Sequence, residues 1–439
     1  MTQKEALDIL KLGYNVYLTG QAGSGKTFLL NKYISYLKKN KVNVAITAST
    51  GIAATHINGV TIHSWSGLGV KEKLTDNDIQ KLLRKLYLRK RFLITNVLII
   101  DEISMLHSFQ LDLVNRICQA FKKNLEPFGG MQIICSGDFF QLPPVQKNKS
   151  DDVKFVTESE VWHNMDIKIC YLQEQHRHRD HKLSKILADI RNNNINGESL
   201  KLLLSRENKE VSSIIKPTKL YTHNIDVDAI NNLELDRINE KEFVYNMHSS
   251  GEIKLVELLK KSCLVPEELV LKKNAKVMFL KNNFDKGYVN GTLGKVVGFG
   301  DNEYPIVKTF SGKKIIATPA SWTIEEGDVV KAKISQIPLR LAWAITVHKS
   351  QGMTLDAAEI DLSKAFGKGM GYVALSRVKM LEGIKLMGFN EIALEVNSKV
   401  INLEKDLLRQ SEKAQQHIKT LGILRKKGLQ KDFIQNLRN

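Results

Sequence analysis

The stretch Asn15-Val16-Tyr17-Leu18-Thr19-Gly20-Gln21-Ala22-Gly23-Ser24-Gly25-Lys26-Thr27 runs directly into the helix-length segment FLLNKYISYL. Its last eight residues fit GxxxxGK[ST] in the setting that gives the pattern a mechanism, after a strand and before a helix. Glycines let backbone amides curl around phosphate oxygens at the helix start, where the aligned peptide dipoles favour an anion. Lys26 is placed to reach the terminal phosphates, and Thr27 to ligate magnesium. Gly20, Ala22, Gly23, Ser24, Gly25, Lys26 and Thr27 are therefore expected to bind a nucleoside triphosphate together with Mg2+.

Outward from this loop, apolar runs at 44–46, 97–100, 132–135 and 167–171 alternate with helix-length segments. That alternation predicts an α/β fold with a parallel sheet covered on both faces. Leu183, Ile186, Leu187 and Ile190 fall at i, i+3, i+4 and i+7 and predict an amphipathic helix. A second α/β region starts at the strand Lys219-Leu220-Tyr221, with a helix capped near Asn224, and resumes from 341 to 388. Between these parts, residues 275–335 become short strands joined by Gly, Asn, Asp and Pro, the texture of a small inserted antiparallel barrel. Residues 71–93 interrupt the first region in a similar way, and beyond about 390 the chain reads as charged helix.

The chain has 439 residues, and 65 Lys+Arg against 47 Asp+Glu leave it at +18. Its 43% hydrophobic content supplies cores for about three domains and excludes a mainly disordered chain. No run approaches the roughly 18 apolar residues of a membrane span, and the start MTQKEALDILKLGYN has no signal-peptide core, so a cytoplasmic location without a membrane partner is expected. Cys118, Cys135, Cys170 and Cys263 are far apart in apolar runs and read as buried thiols. The charge excess suits a nucleic-acid partner bound without sequence specificity, although a merely basic protein has the same composition.

Leu98-Ile99-Ile100-Asp101-Glu102 ends an apolar strand in two acids. Asp101 is placed to hold magnesium and Glu102 to orient and deprotonate water, which favours hydrolysis over phosphate transfer. Gln141, just past the strand at 132–135, is placed to touch a γ-phosphate or its water. The flanking Phe139 and Phe140 admit two readings, core packing or stacking on a base.

Read in order, GQAGSGKT, TASTGIAA with Thr61-Ile62-His63-Ser64, LIIDEISML, SGDFFQLPPV, LQEQHR, ITVHKSQGMTLD and GYVALSRV resemble the motif set of the Pif-one helicases. These belong to superfamily one, type B, near the RecD-like helicases. The resemblance runs from about residue 3 to 390. It implies two RecA-like P-loop NTPase domains with parallel sheets, a small wedge insertion in the first and a small antiparallel β-barrel insertion in the second. The divisions are 1–64 with 96–180 for the first domain, 65–95 for the wedge, 181–284 with 339–390 for the second domain, 285–338 for the barrel, and 391–439 for a basic helical segment to which the family gives no role.

The same resemblance implies residue roles. Gln3 is similar to the glutamine that reads adenine, Arg177 and Arg377 to two arginines reaching the γ-phosphate, and Gly352 to a backbone approach to that phosphate. Thr47, Thr50, Gly51, His348, Lys349 and Ser350 resemble the segments that hold a single strand, with His63 a further contact and Phe139 the stacking candidate. The departures are His178 after Arg177 where the family commonly has Gln, and Trp65 where it usually has Phe. The implied activity is an ATP-dependent DNA helicase that moves 5′-to-3′ on single-stranded DNA and opens forked or tailed duplexes, in genome maintenance, repair and recombination; a monomer is the default expectation. G-quadruplexes and RNA–DNA hybrids are further substrates that the family suggests. The alternative is a nucleic-acid-stimulated ATPase that works as a clamp, or on RNA, without unwinding.

Overall fold

The structure, a computed structural model, describes residues 1–439 except 70, 145–153, 176–179, 212–216, 223–226, 284, 310–311, 327–328 and 438–439. The expected cap at Asn224 lies outside the described residues. Six strands form the first sheet: β1 (Val16–Gly20), β2 (Val44–Ala48), β3 (Val60–Thr61), β4 (Val97–Asp101), β5 (Gln132–Ser136) and β6 (Lys168–Leu172). All pair in parallel, in the order β3-β2-β4-β5-β1-β6. β1, β4 and β5 are buried along their whole length, which explains why they read as unbroken apolar runs rather than alternating ones. Because β4, β5 and β1 are neighbours, Asp101 at the end of β4, Gln141 in the loop after β5 and the phosphate loop after β1 collect at one edge. That edge is where open α/β sheets bind ligands.

The second half contributes β7 (Thr218–Tyr221), β8 (Glu242–Asn246), β9 (His248–Gly251), β10 (Glu268–Lys272), β11 (Lys276–Phe279), β12 (Leu293–Phe299) and β13 (Pro305–Thr309). It continues with β14 (Lys314–Ile316), β15 (Ala320–Glu326), β16 (Val329–Gln336), β17 (Leu339–Leu341), β18 (Ala344–Thr346), β19 (Ala358–Leu362) and β20 (Ile384–Phe389). A second parallel sheet has the order β18-β7-β19-β20. Between β7 and β18 lie the antiparallel sheets β14-β13-β12-β11-β17, β15-β16-β9 and β10-β8. The antiparallel strands thus begin at Glu242, well before the Gly-rich stretch that announces them in the sequence. β9, His-Ser-Ser-Gly, is exposed and carries no apolar signature, so only its pairing reveals it, whereas β8 has the short apolar run Phe243-Val244-Tyr245.

The helices Ser398–Thr420 and Ile423–Asn436 return to the first sheet. Val400, Leu407, Ala414 and Ile418 form one buried stripe of the longer helix, and Ala414, Ile418 and Ile434 join a core with Leu10, Leu30, Tyr33 and Ile134. Each fully buried aliphatic side chain of this kind contributes about 1.5–3 kcal/mol. The Tyr171 amide donates to Ser411 Oγ at 3.0 Å, tying the helix to β6. Gly13 faces the Phe433 ring, where a Cβ would sit 2.4 Å from the ring carbons. Trp65 and Phe92 pack at 4.7 Å between ring centroids and anchor the helices Asp76–Leu83 and Leu86–Ile94. The four cysteines are free and buried. Among the described residues no helix is long and apolar enough to cross a membrane.

Candidate active site

A cavity of about 1010 Å3 is lined by Gln3, Lys26, Thr27, Asp101, Glu102 and Gln141 from the first sheet's side and by Gly352 and Arg377 from the second. Gly23 and Gly25 adopt left-handed φ of 88° and 84°, and Gly25 caps the helix Lys26–Lys39. At Gly20 a Cβ would come within 2.6 Å of the Leu172 carbonyl. The Lys26 ammonium donates to the carbonyls of Gly20 at 2.8 Å and Gln21 at 3.2 Å. Burial pulls its pKa down, against the attraction of Asp138, Glu102 and Asp101. Gln3 Nε2 donates to the Ser24 carbonyl at 3.3 Å, so the N-terminal helix brings this amide to the phosphate loop.

Asp101 is buried at the end of β4 and accepts the Glu102 amide at 3.0 Å. Burial holds its carboxyl above the ordinary range. Glu102 has a φ of 50°, an uncommon conformation for a residue with a side chain, and its carboxyl is pushed up to about 7 by burial and by Asp101. Among the described residues no cluster of three or more His, Cys, Asp and Glu is placed to hold a metal. Thr27 and Asp101 line the same cavity, and a hydroxyl with a carboxylate fits magnesium, which takes one or two protein oxygens and completes its shell with phosphates and water.

Arg377 is 1% exposed and donates through Nε to the Val373 carbonyl at 3.0 Å and through Nη2 to Ser376 Oγ at 2.9 Å and Gln141 Oε1 at 3.4 Å. Two residues read separately in the sequence are therefore in direct contact. Arg177 lies outside the described residues.

Of the expected strand contacts, three are corrected. Thr47 is fully buried because β2 turns it into the sheet, and its hydroxyl donates to the Ile99 carbonyl at 2.6 Å. Ser350 is fully buried, with its hydroxyl given to the Val347 carbonyl at 2.7 Å. Phe139 is buried against Tyr17 and Phe155, at 5.4 and 5.6 Å between centroids, so it is core and not a base platform. Thr50 caps the helix Gly51–His56 by accepting the Ala53 amide at 3.2 Å. His63 is half-buried, Lys349 partly exposed, and His348 exposed with its ring stacked on Phe366.

Sequence reasoning missed three features. Gln351 Nε2 donates to Glu102 Oε2 at 3.1 Å across the cavity, and its place inside the ITVHKSQG motif was an available signal. His56 Nε2 meets Asn290 Nδ2 of the antiparallel region at 2.8 Å, and burial lowers its pKa to about 4. Arg191 is buried beneath the phosphate loop, where Nη1 donates to both Asp138 oxygens at 3.0 Å and to Tyr372 Oη at 2.9 Å. Its Nη2 reaches Glu404 at 2.5 Å, and the guanidinium lies 3.8 Å over the Phe140 ring. Nothing in the sequence marks Arg191 beyond its position in the last turn of an amphipathic helix.

Two parallel α/β sheets, a phosphate loop and acidic pair on one, and an arginine delivered from the other define a P-loop ATPase of the two-domain motor class. A model described as PIF1-like helicase matches residues 2–199, and one described as DNA helicase Pif1, 2B domain, matches residues 254–299. The chain is 47% identical to the ATP-dependent DNA helicase Pif1 of Psychrobacter sp. (strain PRwf-1), over 90% of this chain and 69% of that protein. It is 35% identical to the protein of the same name from Bdellovibrio bacteriovorus, over 92% and 91% of the two lengths. The crystal structure of Bacteroides sp Pif1 in complex with ADP-AlF4 superposes with a TM-score of 0.80 at 32% identity, over 93% of this chain and 96% of that one. The chain belongs to the PIF1-like family of ATP-dependent DNA helicases.

Proposed function

We propose that this chain couples ATP hydrolysis to 5′-to-3′ movement along single-stranded DNA and to the opening of forked or tailed duplexes. The observation that carries this reading is the meeting of Glu102 and Gln141 with Gln351, Gly352 and Arg377 around one cavity. A cavity walled from both sheets makes hydrolysis depend on how the two sides approach each other. The two moving units are those built on the parallel sheets, residues 1–64 with 96–180 and, outside the antiparallel strands that run from Glu242 to Leu341, residues 181–241 with 342–390.

Within the cavity, Gln3 meets the adenine and the amides of Gly23, Gly25 and Lys26 face the phosphates. Glu102 orients and deprotonates water, and Arg377 stabilises charge developing on the γ-phosphate, with Arg177 as the second arginine. Thr27 and Asp101 hold Mg2+, which neutralises phosphate charge when bound. Thr50, Gly51, His63, His348 and Lys349 form the strand path, where hydroxyl, amide and ammonium groups suit sequence-independent contact with phosphates. The segment 65–95 is the wedge. It presents exposed Leu86 and Tyr87 beside Arg84, Lys85, Arg89 and Lys90, an apolar tip set among cations that suits a duplex junction. Direction and service in genome maintenance rest on family membership.

Strand separation measured on 5′-tailed and 3′-tailed duplexes tests the proposal. Opening of the 5′-tailed substrate alone is expected, with Lys26→Ala and Glu102→Gln losing roughly 10²- to 10³-fold in ATPase rate. DNA-stimulated hydrolysis without separation of either substrate would instead establish a clamp.

A further inference from the structure

We propose that Gln351 is a positioning residue for hydrolysis, carrying contact of the nucleic-acid strand at His348 and Lys349 to the carboxylate of Glu102. The inference rests on the reading just given of Glu102 as the base and of 348–349 as strand contacts.

Gln351 is 7% exposed, and its amide N–H donates to Glu102 Oε2 at 3.1 Å. A donor given to a carboxylate makes a charge-assisted bond, stronger than a neutral one, and it limits rotation of the carboxylate plane. The two ends of Glu102 are held from different sides. Ser49 Oγ, in the first sheet's half, donates to the Glu102 backbone carbonyl at 2.7 Å, while Gln351, from the second half, holds the carboxylate. A shift between the halves therefore turns the carboxylate against a fixed backbone.

The segment around Gln351 is built to move as one body. The Ser350 amide donates to the Thr346 carbonyl at 3.0 Å, the Gln351 amide to the His348 carbonyl at 3.3 Å and the Met353 amide to the Ser350 carbonyl at 3.0 Å. Ser350 Oγ donates to the Val347 carbonyl, and Thr346 Oγ1 accepts the Lys349 amide at 3.2 Å. This explains why Ser350, unsuited to touch a strand itself, is a small hydroxyl residue: it closes the turn. One end of the turn is exposed at His348 and the other is buried at Gln351, so displacement of the outer end by a bound strand reaches the carboxylate with little intervening slack. Gly352 completes the arrangement at φ 76°, where a Cβ would lie 2.6 Å from His56 Nδ1.

Gln351→Met keeps length and apolar burial but removes the donor. In steady-state ATPase assays with saturating single-stranded DNA, this variant is expected to lose about tenfold in kcat, the size of one hydrogen bond. KM for ATP and the strand Kd from fluorescence anisotropy should stay within about twofold of wild type, so the stimulation by DNA shrinks. In single-turnover assays on the Glu102→Gln protein, adding Gln351→Met should cause no further loss, because the amide acts through that carboxylate. Gln351→Leu, which likewise lacks the donor and adds no charge, gives the same pattern should the methionine variant fail to fold. An unchanged kcat, a loss confined to KM or Kd, or a full additional loss in the Glu102→Gln protein would overturn the assignment. Absence of any DNA stimulation in wild type would instead overturn the underlying reading of the site.

Discussion

The Tyr372 hydroxyl accepts a hydrogen bond from the Ala22 amide at 3.1 Å, so a side chain of the helix Met370–Leu375 braces the phosphate loop. The same oxygen accepts from Arg191 and donates to Asp138 Oδ2 at 3.3 Å, which fills its capacity. Tyr372→Phe should leave a buried amide unpaired, at about 1–3 kcal/mol. The expected result is weaker ATP binding, by about tenfold, and a lower melting temperature. Titration with a fluorescent nucleotide and thermal unfolding check it, and wild-type values in both would show that the brace is incidental.

Arg191 ties Asp138, Tyr171, Tyr372 and Glu404 together in the interior. Removing one partner of a buried ion pair leaves the other uncompensated and typically costs about 3–5 kcal/mol. Asp138→Ala should reach that range in denaturant unfolding. Glu404→Ala should cost less, because the Glu404 side chain is 15% exposed against 1% for Asp138, and water can take its place. Equal costs, or a larger one at Glu404, would contradict this ranking.

Burial, and after it the Arg377 charge, lower the His56 pKa to about 4 from an ordinary 6.5. Between those values the unfolded chain binds the proton that the folded one refuses, so stability rises with pH across that window. His56 should therefore favour the fold fully above about pH 6.5 and progressively less as pH falls toward 4. In His56→Gln this part of the acid dependence should vanish. Urea midpoints at pH 5 and 7 for both proteins supply the comparison, and identical pH slopes would argue that His56 is not the group responsible.

Arg425 and Lys427 are exposed on a helix whose other face is fixed to the first sheet by Ile434 and Phe433, with Lys426 partly exposed between them. Neutralising all three should weaken single-strand binding at low salt. The slope of log Kobs against log salt should lose up to roughly 2, near 0.7 per phosphate contact surrendered. The DNA-saturated ATPase rate should stay within about twofold. A salt slope equal to wild type would remove this helix from the DNA-binding surface.

The parallel core was legible because its strands are buried on both faces and therefore apolar without interruption, and because the phosphate loop must follow β1 to work. What escaped was tertiary. Phe139 and Phe140 left core packing and base stacking both open, and only the turn after β5, which points both inward, decides for the core. Thr47 and Ser350 lie in the right segments, but strand alternation and a closed turn aim their hydroxyls away from solvent. Arg191 and Glu404 are 213 residues apart, and no local pattern relates a cation in one helix to an acid in another. β9 was missed because an exposed strand of His, Ser and Gly lacks the apolar alternation that reveals half-buried ones, and β8 because its apolar run, Phe243-Val244-Tyr245, is only three residues long.

The cavity walls are drawn from nearly the full span of the chain, which has a consequence for synthesis. The phosphate loop and acidic pair emerge early, whereas Gly352, Tyr372 and Arg377 emerge more than 200 residues later. A growing chain therefore passes through a long interval with the phosphate-gripping parts made and the arginine not yet made. On the role proposed for Arg377, a chain that ends before it can grip the nucleotide without completing hydrolysis.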